Sequence, residues 1–282
     1  MKKKEKRGLR NLIMIILALV IILGVCYIDS NRRLTVTEYD VYSDRLPEAF
    51  EGFRIVQLSD LHGAVFGEGN EKLLDKIRAA EPDIIAVTGD MFDENTDEGY
   101  APGLTEQLCE IAPVYYVSGN HEWVINPRNT FKAMEAAGAK VMRNEYETLE
   151  ADGETAVLAG ADDPNGPYDM KTKEELVGEI KAETDDYIIM LSHRNTDLDL
   201  WASLGVDLVL CGHAHGGFIR LPFVGGILRH REEWDHPTIE GVFEKDGTVM
   251  IVSRGIGSSG KMALRLFNNP EIVVAVLHAG EK

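Results

Sequence analysis

The sequence predicts an α/β domain behind an N-terminal membrane anchor. Three observations carry this expectation. Short apolar runs alternate with helix-period segments along most of the chain. Five of those runs end in a polar residue of the kind that binds metals, namely Asp60, Asp90, Asn120, His193 and His213. Ahead of them, residues 12–28 (LIMIILALVIILGVCYI) form 17 residues without a charge.

The anchor comes first in the chain. At about 1.5 Å per residue, 17 helical residues barely cover a hydrocarbon core of roughly 30 Å, and Leu9 with a snorkelling Arg10 extends the span. A cleaved signal has a shorter apolar stretch ending at a small-x-small site, and Gly24-Val25-Cys26 is a poor one. The expectation is therefore an uncleaved single-pass anchor over 12–28, a basic segment over 1–11 and a folded body over 29–282. Residues 1–10 carry a net +5 and stay in the cytoplasm by the positive-inside rule, so the body lies outside the cell membrane.

The remaining 272 residues carry a net −23. So acidic a body repels polyphosphate backbones, and no nucleic-acid partner is expected. An apolar fraction of 44% excludes a disordered chain, and three cysteines exclude a disulfide framework.

Within the body, a short strand pattern at 35–42 precedes RIVQLSD at 54–60. Helix 71–80 is stopped by Pro82, and IIAVTGD at 84–90 repeats the strand form. A helix near 102–111 leads to VYYVSGN at 114–120, and another starts at Pro127 and ends near Gly138. Residues 139–160 read as short strands about an Asp152-Gly153 turn. Helix 172–183, strand 187–193, helix 197–204 and strand 207–213 follow. The last stretch, 238–278, reads as strands with a hairpin at Asp246-Gly247.

The strand ends read Asp60-Leu61-His62, Gly89-Asp90-Met91-Phe92-Asp93, Gly119-Asn120-His121-Glu122, Ser192-His193 and Gly212-His213-Ala214-His215. Ligands of α/β sheets sit beyond the carboxyl ends of strands, so these motifs should share one rim. Five of the eight histidines lie in them. Oxygen and imidazole donors without thiolate suit manganese, iron or zinc.

This constellation, over residues 50–278, resembles the calcineurin-like metallophosphoesterase superfamily. The resemblance implies a four-layer α/β/β/α sandwich of two mixed sheets. It implies two divalent metal ions, manganese first among them: Asp60, His62 and His215 on one, Asn120, His193 and His213 on the other, and Asp90 bridging. His121 would face the substrate phosphate as acid or electrostatic stabiliser, and Asp93 would orient it. Two cations about 3.5–4 Å apart would activate a bridging hydroxide for in-line attack on phosphorus.

Residues 205–222, 253–259 and 265–274 resemble the membrane-associated bacterial branch, with its YaeI- and YkuE-type phosphodiesterases and one kind of UDP-2,3-diacylglucosamine pyrophosphatase. The expected substrate is a phosphodiester or pyrophosphate, a small molecule or the lipid head group of an envelope precursor, because the anchor holds the site near head groups. Protein phosphatases of the superfamily carry an arginine after the aspartate matching Asp93, where this chain has Glu94. Phosphate-gripping arginines must come from elsewhere, with Arg194 and Arg254 as candidates or as partners of surface acids. His230, His236 and His278 match no motif. A secreted nuclease and an inactive metal-binding scaffold are the alternatives. The acidic body speaks against the first and the complete ligand set against the second.

Overall fold

The computed structural model describes residues 2–93, 96–97, 99–125, 127–167, 170–221, 223–227, 237–258 and 265–282. Glu94, His230 and His236 lie outside the described residues.

Helix α1 (Lys2–Arg32) runs without a break through the expected anchor, and its stretch Arg7–Arg32 is long and apolar enough to cross a membrane. The end of the apolar run at Ile28 does not end the helix, because Asp29 to Arg32 remain helical and bind the body. The Asn31 side chain donates to the Arg265 carbonyl (2.9 Å), and Asn269 donates to the Asp29 carbonyl (2.8 Å).

The body then runs β1 (Thr35–Ser43), β2 (Arg54–Leu58), α2 (Glu71–Ala79), β3 (Ile84–Thr88), α3 (Tyr100–Cys109) and β4 (Val114–Val117). Next come α4 (Asn120–Ile125), α5 (Pro127–Ala136), β5 (Lys140–Val141), β6 (Glu145–Ala151), β7 (Glu154–Gly160) and α6 (Lys173–Glu183). The chain closes with β8 (Tyr187–Leu191), α7 (Leu198–Leu204), β9 (Leu208–Cys211), β10 (Arg220–Leu221), β11 (Gly225–Gly226), β12 (Gly241–Lys245), β13 (Thr248–Val252) and β14 (Glu271–Ala279). The short helix α4 and the β10–β11 hairpin are elements the periodicity did not reveal.

Two six-stranded mixed sheets form, ordered β1-β14-β2-β3-β4-β5 and β12-β13-β9-β8-β7-β6. In the first, β2, β3 and β4 run parallel while β14 lies antiparallel to β2. In the second, β7, β8, β9 and β13 are parallel, with β6 and β12 antiparallel at the edges.

Strands such as Ile84–Thr88 and Tyr187–Leu191 are buried at every position because each sheet is covered on both faces. Alternate residues face opposite ways. Ile55, Ala86, Tyr115, Leu158, Ile189 and Leu210 meet in the core between the sheets. Val56, Leu58, Ile85 and Val87 instead pack outward against Leu73, Ile77, Leu104 and Leu108 of α2 and α3. Ile188, Met190 and Val209 pack outward against Leu176, Ile180 and Trp201 of α6 and α7. The result is the α/β/β/α sandwich.

Candidate metal centre

Gln57 joins the sheets just beneath the rim. Its amide donates to the Thr88 hydroxyl (2.9 Å) and, across the inter-sheet core, to the Cys211 carbonyl (2.8 Å). This ties the carboxyl ends of β2, β3 and β9 together, with those of β4 and β8 alongside as their sheet neighbours. Asp60, His62, Asp90, His193, His213 and His215 converge there, all buried.

The side chains fall into overlapping groups whose donor atoms lie within 4.8 Å of one another: Asp60, His62 and His215; Asp90, His193 and His213; and His62, Asp90 and His121. The first holds the three donors that the resemblance implies for one cation, and the second holds Asp90 with His193 and His213, two of the three implied for the other. Asp90 stands between the imidazoles, its Oδ2 lying 3.4 Å from His193 Nε2 and 3.7 Å from His62 Nε2. His215 Nε2 is 3.5 Å from Asp60 Oδ1. Asn120, in the first turn of α4, sets its Oδ1 3.2 Å from His193 Nε2, and His213 Nδ1 is 3.2 Å from the same nitrogen.

The backbone is bent hard to achieve this. Asp60, His62, Asp90, His213 and His215 have φ between 46° and 69°, in the left-handed region. Non-glycine residues there cost of order 1–3 kcal/mol each and persist where the surroundings over-determine them. The surroundings do so with close-approaching glycines. A Cβ on Gly119 would stand 2.2 Å from Asp90 Oδ1, and one on Gly212 would stand 1.9 Å from Ser59 Oγ.

Glu122 fastens the turns after β3 and β4. Its buried carboxyl oxygens accept from the backbone N–H groups of Asp90 (3.1 Å), Met91 (3.0 Å) and Gly119 (2.7 Å). Burial, reinforced by the nearby Asp90 charge, pushes its pKa up to about 8. Nothing in the sequence gave this residue a role, although it is the fourth letter of its motif.

The electrostatics suit cations. Burial lowers His62 to about 4, so at neutral pH its imidazole is uncharged, the form that ligates. Both of its ring nitrogens are buried without a hydrogen-bond partner among the described residues. A buried polar group so left is costly unless something else binds it. Burial alone would raise Asp90, but the imidazoles of His193, His62 and His121 outweigh it and hold the carboxyl well below its usual range. Burial opposes protonation of His193, yet Asp90 and Asp60 raise it to about 10. Bound cations would replace such a proton. The oxygen and imidazole donors and the orphaned His62 nitrogens fit divalent metals.

His121 sits at the mouth. Its side chain is 23% exposed, against none for His62 and His193, and its Nε2 lies 4.0 Å from Asp90 Oδ2. Its backbone N–H, not its ring, donates to Asp90 Oδ1 (2.9 Å). Asp93 bonds into its own turn, accepting from the Thr96 hydroxyl (3.0 Å), and its charge also acts on His62.

The two arginines differ. Arg194 reaches the rim, with Nη1 3.2 Å from His213 Nε2, and is gripped by buried Asp163 through Nε (2.7 Å) and Nη2 (3.3 Å). Arg254 donates to buried Glu271 (2.8 Å) and stands 3.7 Å from Glu240. Asp163 also went unnoticed in the sequence, although β7 is followed by a polar pair, Asp162-Asp163, just as the motif strands end in polar residues. Arg265 escaped notice too. Fully buried, Arg265 is lowered by burial to about 10, and its Nη2 lies 3.4 Å from His215 Nδ1. Beside Arg194 lies a cavity of ≈ 580 Å³ lined in part by Asn144, Asp162, Lys171, Lys173 and Thr196.

Residues 53–217 match the family model of the calcineurin-like phosphoesterases. The chain is 33% identical over 254 residues to an uncharacterised metallophosphoesterase of Aquifex aeolicus (strain VF5), covering 86% of this chain and 92% of that one. It is 30% identical to the uncharacterised metallophosphoesterase YkuE of Bacillus subtilis (strain 168), covering 87% and 86%. The fold is similar to that of a 5′-nucleotidase precursor from Thermus thermophilus, with a TM-score of 0.51 and 17% identity, over 80% of this chain and 54% of that one. The match over most of the body, together with the Asp/His cluster at the sheet rim, is why this chain belongs to the calcineurin-like phosphoesterase family and is a phosphoester hydrolase.

Proposed function

We propose that the protein is a membrane-anchored, dinuclear metal-dependent hydrolase of phosphodiester or pyrophosphate bonds in a lipid or envelope precursor, with its body outside the cytoplasmic membrane. The observation that carries the metal reading is Asp90, whose Oδ2 lies 3.7 Å from His62 Nε2 and 3.4 Å from His193 Nε2, beside a His62 ring with both nitrogens orphaned. Asp60, His62 and His215 would hold one cation, Asn120, His193 and His213 the other, and Asp90 would serve both. Such ions, when bound, supply Lewis acidity and an ionised water at neutral pH.

The chain's own groups do the rest. His121, open to the mouth, donates a proton to the leaving oxygen, and Asp93 orients it. Arg194, immobilised by Asp163, neutralises phosphate oxygens as a planar donor. The cavity beside it receives the remainder of the substrate. Arg254, already paired with Glu271, holds the turn after β13 instead of the phosphate.

The long apolar α1 and the lysines ahead of it support anchoring with the N-terminus in the cytoplasm. Similarity to YkuE, together with the 205–222 and 265–274 segments, supports membership of the membrane-associated bacterial branch.

The test uses the full chain in detergent, stripped of metal and titrated with manganese, iron or zinc. Substrates are bis-p-nitrophenyl phosphate, p-nitrophenyl phosphate, a lipid-linked pyrophosphate and single-stranded DNA. Cation-restored hydrolysis of the diester and the lipid-linked pyrophosphate is expected. Preference for DNA would establish the nuclease, and full cation binding without hydrolysis would establish the scaffold. Protease shaving of intact cells checks orientation, and a protected body would place it in the cytoplasm.

A further inference from the structure

We infer that the β10–β11 hairpin is a second membrane contact, which dips an apolar tip into the bilayer surface beside α1 and holds the mouth of the metal centre at head-group level. The inference rests on the anchoring reading above. On the hairpin and just after it, Leu221, Val224 and Ile227 are 40–66% exposed and Phe223 is fully exposed, and Phe267, on the segment that binds its base, is 41% exposed. Apolar groups clustered on one projection mark a contact surface.

Connectivity identifies the occupant as the bilayer that carries α1. The hairpin's base is bound to the segment 265–270. Ile219 bridges to Leu266, the Arg220 N–H donates to the Leu266 carbonyl (3.0 Å), and the Leu266 N–H donates to that of Phe218 (3.2 Å). The same segment receives the end of α1, through Asn31 to the Arg265 carbonyl and Asn269 to the Asp29 carbonyl. The tip at Phe223 is four residues past Ile219, or roughly 13 Å of extended chain. The interfacial layer beyond the hydrocarbon core is about 5–8 Å deep on each side. A tip tethered so near the end of the apolar run therefore comes within reach of that layer.

The same base also touches the site. Phe218 stacks on the ring of His215, with centroids 4.9 Å apart and an interplanar angle of 20°. Helix end, hairpin and metal-site histidine thus share one short segment, and a hairpin fixed in the interface would bring the site to substrates embedded there. A projection rich in Phe, Leu, Ile and Val has the side-chain chemistry of an interfacial anchor.

The experiment places a reporter at the tip. The full chain carrying Phe223→Trp is reconstituted in vesicles of phosphatidylglycerol and phosphatidylethanolamine, with and without acyl-chain bromination, and the wild-type spectrum is subtracted for the three native tryptophans. The added tryptophan should be blue-shifted, should lose intensity in brominated lipid and should be shielded from aqueous iodide. An iodide-quenched tryptophan indifferent to bromination overturns the inference. So does one that is blue-shifted but unquenched by either, the signature of contact with a second copy. Flotation of the same vesicles separates the two claims. A chain that floats while its introduced tryptophan stays open to iodide leaves the anchoring intact and removes the hairpin contact, whereas a chain that does not float removes both.

Discussion

Replacing His121 by alanine should leave the metals and the fold in place and remove most of the activity. The only hydrogen bond that His121 gives to Asp90 comes from its backbone N–H, 2.9 Å from Oδ1, and alanine keeps it. The imidazole is instead at the open mouth, 23% exposed, with Nε2 4.0 Å from Asp90 Oδ2. It can reach a leaving oxygen without being needed to hold Asp90. A positioned proton donor is worth about 10²–10⁴-fold in rate, and at about 1.4 kcal/mol per decade that is roughly 3–5 kcal/mol of barrier. The deficit should shrink for p-nitrophenol, which leaves without help, and grow for alkyl or sugar leaving groups. Asp93→Asn should show a milder form of the same trend. The assay is kcat against leaving-group pKa, with metal content by plasma mass spectrometry in parallel. His121 also shares a donor cluster with His62 and Asp90, so the opposite result is physically open. Loss of a metal from His121→Ala would make it a ligand and refute the reasoning. A deficit equal for every leaving group would make it a stabiliser of phosphoryl charge that donates no proton.

Asp90→Ala should lower metal occupancy at both positions, because its carboxylate faces His62 and His193 together; full two-metal content would refute the bridging role. Glu122→Gln offers one oxygen where three backbone N–H groups now share two, so at least one buried N–H loses its partner. Denaturant unfolding should show a loss of about 1–3 kcal/mol, and an unchanged midpoint would deny Glu122 its fastening role. His278 is raised above its usual pKa by hydrogen bonding to Glu51, with a further contribution from Asp40, and Glu51 is lowered in turn. The raised His278 stabilises fully below its unfolded pKa and loses that contribution as pH climbs through the folded one. The melting-temperature gap between wild type and His278→Ala should therefore be wider at pH 5.5 than at pH 8.5. A gap independent of pH would leave only the stacking of His278 on Tyr42.

The strands that end at the site were readable because burial on both faces makes them short, unbroken apolar runs, and because each run stops at a residue that apolar packing cannot explain. Pairing across long distances left no comparable trace. Nothing local in EIVVAVLHA says that β14 inserts between β1 and β2, or that Glu271 at its start will capture Arg254. The end of α1 left no local trace for a related reason. Hydropathy falls at Asp29, but the helix continues because its last turn is held from the far end of the chain, Asn31 by the Arg265 carbonyl and the Asp29 carbonyl by Asn269.

The site itself shows where local reasoning had to fail. Five of the seven ligand candidates have left-handed φ, a conformation uncommon and costly for any residue but glycine, even though aspartate and histidine enter it more readily than most. Only the assembled rim can hold them there, with Glu122 binding three amides and glycines admitting Asp90 and Ser59 at contact distances a Cβ would forbid. Sequence exposes the residue types that bind metals. The strain that aims them at one point belongs to the two sheets together. For that reason Glu122, which binds the turns, and Asp163, which grips Arg194, are as necessary to the arrangement as the histidines they surround.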